Sequence, residues 1–98
     1  MSDDDFGFAP PPFKPEDALL QLKRQLRDLK LAERGTGFEL RGKRVCELQL
    51  DGVTIAARTA RKLALTPEFD KAVIASADVQ RKWLTELKKR LERWDREE

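Results

Sequence analysis

An Asp-Gly pair between two alternating runs constrains the fold of this chain more than any other feature; it lies in the stretch VCELQLDGVTIAAR, residues 45–58. Asp-Gly flanked by alternating apolar residues is the strongest short-range signal for a β-hairpin with a two-residue turn. A turn at Asp51 and Gly52 predicts three apolar cross-strand pairs, which are Leu50 with Val53, Leu48 with Ile55, and Cys46 with Ala57. Because successive side chains of a strand point to opposite faces, these six side chains share one face, which we expect to be covered.

The opposite face of this hairpin is predicted to be largely solvated. It carries Val45, Glu47, Gln49, Thr54, Ala56 and Arg58. An antiparallel sheet with one apolar and one polar face is covered on one side only. Its polar side is therefore open to a partner.

Two further segments extend the predicted sheet. The stretch FELRGKRV, residues 38–45, indicates another hairpin around Gly42, in which a three-residue loop or a bulge would bring Phe38 and Leu40 to the covered face. Residues 71–75 (KAVIA) are a candidate fourth strand.

A helix is predicted on each side of these strands. The first begins at Pro15, a favourable first position, and repeats Leu19, Leu22, Leu26 and Leu29 on one face until Gly35 ends it. The second begins after Ser76, a candidate N-cap, and its apolar side holds Val79, Trp83, Leu84, Leu87, Leu91 and Trp94. Trp94, near the end of the chain, is expected to be partly exposed.

These elements predict a two-layer α+β fold. A three- to four-stranded antiparallel meander would carry the N-terminal and C-terminal helices on one face, in the order α-β-β-β-(β)-α. Residues 15–96 would form this single domain. Residues 1–14, acidic and proline-rich, would form a flexible tail.

The residues present argue against an enzyme. The chain has no histidine, and its one cysteine, Cys46, is predicted to face the core. The paired carboxylates lie in terminal segments or in a first helical turn, and no glycine-rich phosphate loop occurs. We therefore predict no catalytic site, no cofactor and no metal. The single cysteine and the short apolar runs favour a cytoplasmic location and no membrane span.

The leading functional hypothesis is a bacterial-type module that binds a protein partner or forms a homodimer. Its candidate contact residues are Glu47, Gln49, Thr54 and Arg58 on the open sheet face, Trp94, and Phe6 and Phe8 in the tail. Leu20 and Leu31 are predicted to project away from the leucine face of the first helix. The tail has three open interpretations: a docking peptide, a disordered end, or a lid in which Phe8 or Phe13 covers Leu20 or Leu31.

The alternative hypothesis is nucleic-acid binding. Residues 1–17 carry five acids and one lysine, so the remaining 81 residues hold a net charge of +6 within a total of +2. Basic side chains recur on one helix face in each helix, and such faces contact phosphates in nucleic-acid-binding proteins. The candidate residues are Lys23, Arg27, Lys30, Lys82, Lys89 and Arg93.

Overall fold

The structure is a computed structural model and describes residues 12–97 of the chain. Its elements are α1 (Pro15–Asp28), β1 (Ala32–Arg34), β2 (Gly37–Leu40), β3 (Lys43–Asp51), β4 (Thr54–Ala60), β5 (Phe69–Ile74) and α2 (Ala77–Glu97). Phe6 and Phe8, together with most of the tail, lie outside the described residues.

The five strands form one antiparallel sheet in the order β1-β2-β3-β4-β5, in which each strand pairs with its neighbour along the chain. Both helices contribute to one hydrophobic core with the sheet. From α1 it takes Leu22 and Leu26, and from α2 Trp83 and Leu87. The predicted two-layer α+β fold is confirmed, with five strands rather than three or four.

The first helix ends earlier than predicted, at Asp28 rather than next to Gly35. Lys30 adopts a left-handed conformation (φ 70°) and its N–H donates to the carbonyl of Arg27 at 3.0 Å. The N–H of Leu31 donates to the carbonyl of Leu26 at 3.3 Å. These two bonds form a Schellman motif, which terminates a helix by satisfying its last carbonyl groups.

This helix end changes the position of Leu31. The side chain is 4% exposed and belongs to the core, together with Leu26, which is fully buried. Leu26 and Leu31 hold the two positions of a Schellman motif whose apolar side chains commonly pack against each other. The expectation that Leu31 projects away from the core is therefore wrong, whereas Leu20 is 64% exposed, as expected.

The β3–β4 hairpin has a different turn from the one predicted. Asp51 pairs with Thr54, so the two turn residues are Gly52 and Val53. Gly52 has a φ of 61°, and a two-residue turn with glycine first suits the twist of a hairpin. The observed pairs are therefore Leu50 with Ile55, Leu48 with Ala57 and Cys46 with Thr59.

The corrected register leaves most of the predicted covered face intact. Each pair shifts by two residues, and a shift of two keeps a side chain on the same side of a strand. Leu48, Ile55 and Ala57 are buried, whereas Leu50, next to the turn, is 41% exposed and Val53, in the turn, is 80% exposed. The prediction for Val53 is wrong because the turn is centred one residue later.

A β-bulge places Val45 in the core. Phe38 pairs with Cys46, but the next pair is Glu39 with Arg44, which leaves Val45 as an extra residue. The extra residue interrupts the alternation of sides, so the sequence neighbours Val45 and Cys46 are both fully buried. The prediction of Val45 on the solvated face is wrong. Of the two alternatives predicted for this hairpin, a three-residue loop or a bulge, the structure has the bulge.

The second helix begins as predicted. The N–H of Val79 donates to the Ser76 hydroxyl at 3.2 Å, the bond expected of an N-cap. Its apolar face is buried as far as Trp94, which is only 3% exposed, although Val79 is 37% exposed. The expected partial exposure of Trp94 is not found, because the core continues to the last turns of α2.

Candidate interaction surface on the open sheet face

The sheet face opposite the helices carries a row of paired charges that crosses the strands. Arg34 Nε on β1 lies 3.3 Å from Glu39 Oε1 on β2. Arg44 Nη1 on β3 lies 2.7 Å from Glu47 Oε2, and Arg58 Nη1 on β4 lies 3.1 Å from Glu47 Oε1. We name these five residues the arginine–glutamate row.

Two further contacts complete the row. Arg44 Nη2 lies 3.9 Å from Glu39 Oε2, which links the two halves. Arg58 lies over the ring of Phe69 on β5, 4.7 Å from its centroid, a distance suited to a cation–π contact. The row therefore reaches from the first strand to the last.

The row depends on a glycine. A Cβ atom at Gly37 would lie only 2.8 Å from Cζ of Arg44. Because Gly37 has no side chain, the guanidinium of Arg44 lies flat against the β2 backbone and also donates to the carbonyl of Arg34 at 3.3 Å.

Next to the row lies a shallow groove of about 520 Å³. The side chains of Ala56 and Val73 are paired across β4 and β5, with Arg58 and Lys71 alongside. Val73 is 64% exposed, and within residues 12–97 Lys71 makes no ion pair. The groove thus combines a small apolar floor with positive charge.

The four predicted contact residues of the open face have different environments. Glu47 and Arg58 belong to the row, and Gln49 is exposed beside the groove residue Ala56, with which it pairs. The hydroxyl of Thr54 donates to the carbonyl of Asp51 at 3.0 Å, so it stabilises the hairpin turn.

The predicted basic faces of the helices are partly neutralised. Lys23 Nζ and Arg27 Nη1 lie 3.4 and 2.9 Å from the carboxylate of Glu33, and Lys82 Nζ lies 3.0 Å from Asp78. Lys30 lies just beyond α1, in the left-handed conformation that terminates the helix. In the described part of the chain, Lys89 and Arg93 are exposed and have no ion pair.

Cys46 is the one thiol of the chain. Burial raises its pKa to about 12, with a smaller contribution from the Glu47 carboxylate. A thiol that holds its proton at neutral pH is a poor nucleophile.

Residues 12–97 hold no group of three or more His, Cys, Asp or Glu side chains placed to bind a metal ion. Neither helix in this range is long and apolar enough to cross a membrane.

Sequence reasoning missed four members of this surface: Arg34, Glu39, Arg44 and Phe69. The sequence predicts Arg34 at the end of the first helix, because no local signal marks the left-handed Lys30. The face of Arg44 could not be predicted, because the sequence leaves open whether the hairpin around Gly42 has a three-residue loop or a bulge. Gly35 and Gly37 were the signal available in the sequence. Glycine in a strand often marks a site where another group approaches the backbone closely.

Comparison of the chain with family models, with curated proteins and with solved structures finds no match.

Proposed function

We propose that this chain is a non-enzymatic cytoplasmic module that binds a protein partner through its open sheet face. The observation that carries the proposal is the arginine–glutamate row beside the groove of Ala56 and Val73. One face of the sheet is covered by helices, and the other presents ordered charges and an exposed apolar side chain.

The row supports this function because its arginines are already held in place. Binding is weakened by the loss of side-chain freedom, about 0.5–1.5 kcal/mol for each long side chain that becomes ordered. Arg44 and Arg58 are each fixed by Glu47 before any partner arrives. Arginine is also enriched in protein interfaces, where its aliphatic stem and planar head both make contact.

The partner surface that fits is mixed in character. An apolar side chain fits the groove floor at Ala56, and a carboxylate complements Lys71. A second copy of the chain is one such partner, since the open face itself offers both Val73 and the carboxylates of Glu39 and Glu47.

The experiment is affinity capture by the full chain, compared with two variants of the groove. Ala56→Arg fills the groove and Val73→Ser removes its apolar edge, whereas Lys89→Glu changes an exposed residue of α2 and serves as the control. We expect a captured protein to be lost with both groove variants and retained with the control. Capture that all three variants leave unchanged would refute this use of the open face.

Sedimentation of the same proteins tests the homodimer. A dimer that the groove variants dissociate identifies the second copy as the partner. A strict monomer at high concentration excludes it.

A further inference from the structure

The β3–β4 turn carries the one Asp-Gly pair of the chain, Asp51 and Gly52. Both residues are exposed, and so is Val53, which completes the turn. Asp51 is the last paired residue of β3, opposite Thr54. The carboxyl carbon of an aspartate and the nitrogen of the next residue can close into a five-membered ring, so the reactivity of the pair depends on whether the fold holds either group in place.

The nitrogen of Gly52 is accessible for such a ring closure. Among residues 12–97, its N–H has no hydrogen-bond acceptor. Glycine has no side chain, and a Cβ atom placed at this position would have no atom within 4 Å, so the surrounding space is open. Neither a hydrogen bond nor crowding therefore hinders reaction at this nitrogen.

The carboxyl group of Asp51 is also free. The Thr54 hydroxyl donates to the main-chain carbonyl of Asp51, at 3.0 Å, and not to its side chain. In the part of the chain that the structure describes, the carboxylate forms neither an ion pair nor a hydrogen bond. It can therefore turn toward the following nitrogen without breaking a contact.

The other described aspartates are held in ways that oppose ring closure. Asp17 and Asp28 lie in α1, where the N–H that follows each donates to a carbonyl of the preceding turn, at 2.9 and 3.2 Å. Asp70, Asp78 and Asp95 use their carboxylates in ion pairs with arginine or lysine side chains. Within residues 12–97, the turn at Asp51 thus combines a free carboxyl group with a free nitrogen.

We propose that Asp51 converts spontaneously to isoaspartate through a succinimide. The nitrogen of Gly52 attacks Cγ of the protonated Asp51 carboxyl group, and the N–Cγ bond forms as the bond from Cγ to the hydroxyl oxygen breaks. The hydroxyl group and the amide proton leave together as one water molecule.

Water then opens the ring at either of its two carbonyl carbons. Attack at Cγ breaks the new N–Cγ bond and restores aspartate. Attack at the main-chain carbonyl carbon of Asp51 breaks its bond to the Gly52 nitrogen, so the main chain then runs through Cβ and Cγ. The water lost in the first step is regained in the second, and the conversion is an isomerisation that needs no co-reactant.

The product changes the end of the hairpin. Isoaspartate lengthens the main chain at position 51 by one methylene group, and the carbonyl that accepts the Thr54 hydroxyl becomes part of a free carboxylate. This carboxylate is bonded to Cα, which is the group that isoaspartyl methyltransferases esterify with S-adenosylmethionine. A converted chain is therefore a substrate for this class of repair enzyme. The inference goes beyond the proposed partner function and does not depend on it.

The experiment is incubation of the full chain at neutral pH, folded and in urea, followed by peptide mapping with electron-transfer fragmentation, which distinguishes isoaspartate from aspartate. We expect isoaspartate at position 51 of the folded chain at no less than about a tenth of its rate in urea, because no hydrogen bond has to open first. Asp51→Glu keeps the carboxylate but requires a larger ring, so position 51 should remain unconverted. Asp28→Glu, in α1, is the matched control and should convert at position 51 as the wild type does.

Two results would overturn the proposal. The first is a folded chain without isoaspartate at position 51 at a time when the chain in urea has formed it, since the turn would then prevent ring closure. The second is as much isoaspartate at Asp17 or Asp28 as at Asp51 in the folded chain, since the free groups of the turn would then have no effect. No partner protein is present, so failure here leaves the open-face proposal unaffected.

Discussion

Arg90 shows how one side chain joins the two layers of this molecule. From α2 its guanidinium donates to the carbonyl of Ala60 at 2.9 Å, to Asp70 at 3.0 Å and to Glu86 at 3.1 Å. Asp70 accepts a second bond from Arg61, at 2.7 Å. The arginine ties helix to sheet at the edge of the core, where its side chain is 16% exposed.

Because of these hydrogen bonds, Asp70 should make the unfolding free energy depend on pH in the acidic range. Hydrogen bonds from Arg61 and then Arg90 lower its pKa in the folded state. Such a group stabilises the fold fully above its unfolded pKa, about 3.9, and this stabilisation is lost as the pH falls through the folded value. We expect urea denaturation to show a smaller loss of stability between pH 6 and pH 3 in Asp70→Asn than in the wild type. Asp28→Asn, at the exposed end of α1, should keep the wild-type dependence.

Thr59 is the buried partner of a tryptophan. Trp83 Nε1 donates to Thr59 Oγ1 at 3.0 Å, and both side chains are at least nine-tenths buried. Thr59→Val keeps the shape but leaves the indole N–H without an acceptor, which costs about 1–3 kcal/mol of unfolding free energy. Thr59→Ser retains the hydroxyl and is the control. Equal stability of the valine and serine variants in denaturant titration would contradict this role.

Cys46 should not react in the folded protein. Its side chain is fully buried and the raised pKa leaves almost no thiolate at pH 8. We expect a thiol reagent such as DTNB to label it only after denaturant is added. Rapid labelling of the native chain would show that this part of the sheet opens.

At the scale of elements, the sequence predicts well which faces of the helices and strands are apolar. It predicts poorly the residues at which these elements begin and end. The faces of the helices and of the β3–β4 hairpin follow from the spacing of Leu22, Leu26, Leu48 and Ile55, because alternation persists through a register shift of two. The end of α1 and the strand β1 could not be predicted, since Lys30 in a left-handed conformation leaves no mark in the sequence. The open-face row could be predicted only at Glu47 and Arg58, since its other members lie in β1 or beyond the bulge.

Lys30 also allows a test of that helix end. An L-residue with a side chain is strained in the left-handed conformation, whereas glycine is not. We expect Lys30→Gly to raise the unfolding free energy by about 0.5–1 kcal/mol. Lys30→Ala, which removes the charge but keeps a Cβ, separates this effect from charge; a similar gain in both variants would contradict the conformational explanation.

At the scale of the whole molecule, the ion pairs of residues 12–97 support our proposal of a protein partner rather than a nucleic acid. Lys23, Arg27 and Lys82 are paired with carboxylates of the same chain, so binding phosphates would have to compete with these contacts. The remaining candidates, Lys89 and Arg93, form a small positive surface.

A salt titration against duplex RNA and duplex DNA tests this conclusion. Binding through phosphate contacts strengthens steeply as salt is removed. We expect dissociation constants that stay weaker than millimolar at low salt. Submicromolar binding that is lost in a Lys89→Glu, Arg93→Glu variant would favour the nucleic-acid function instead.

The flat position of Arg44 against Gly37 predicts how these two positions vary together during evolution. Any residue with a Cβ at position 37 would displace the guanidinium of Arg44 from its place between Glu39 and Glu47. Relatives that replace Gly37 should therefore also replace Arg44, so that the two positions covary. A set of relatives that kept the arginine opposite larger residues would show that selection does not act on the row.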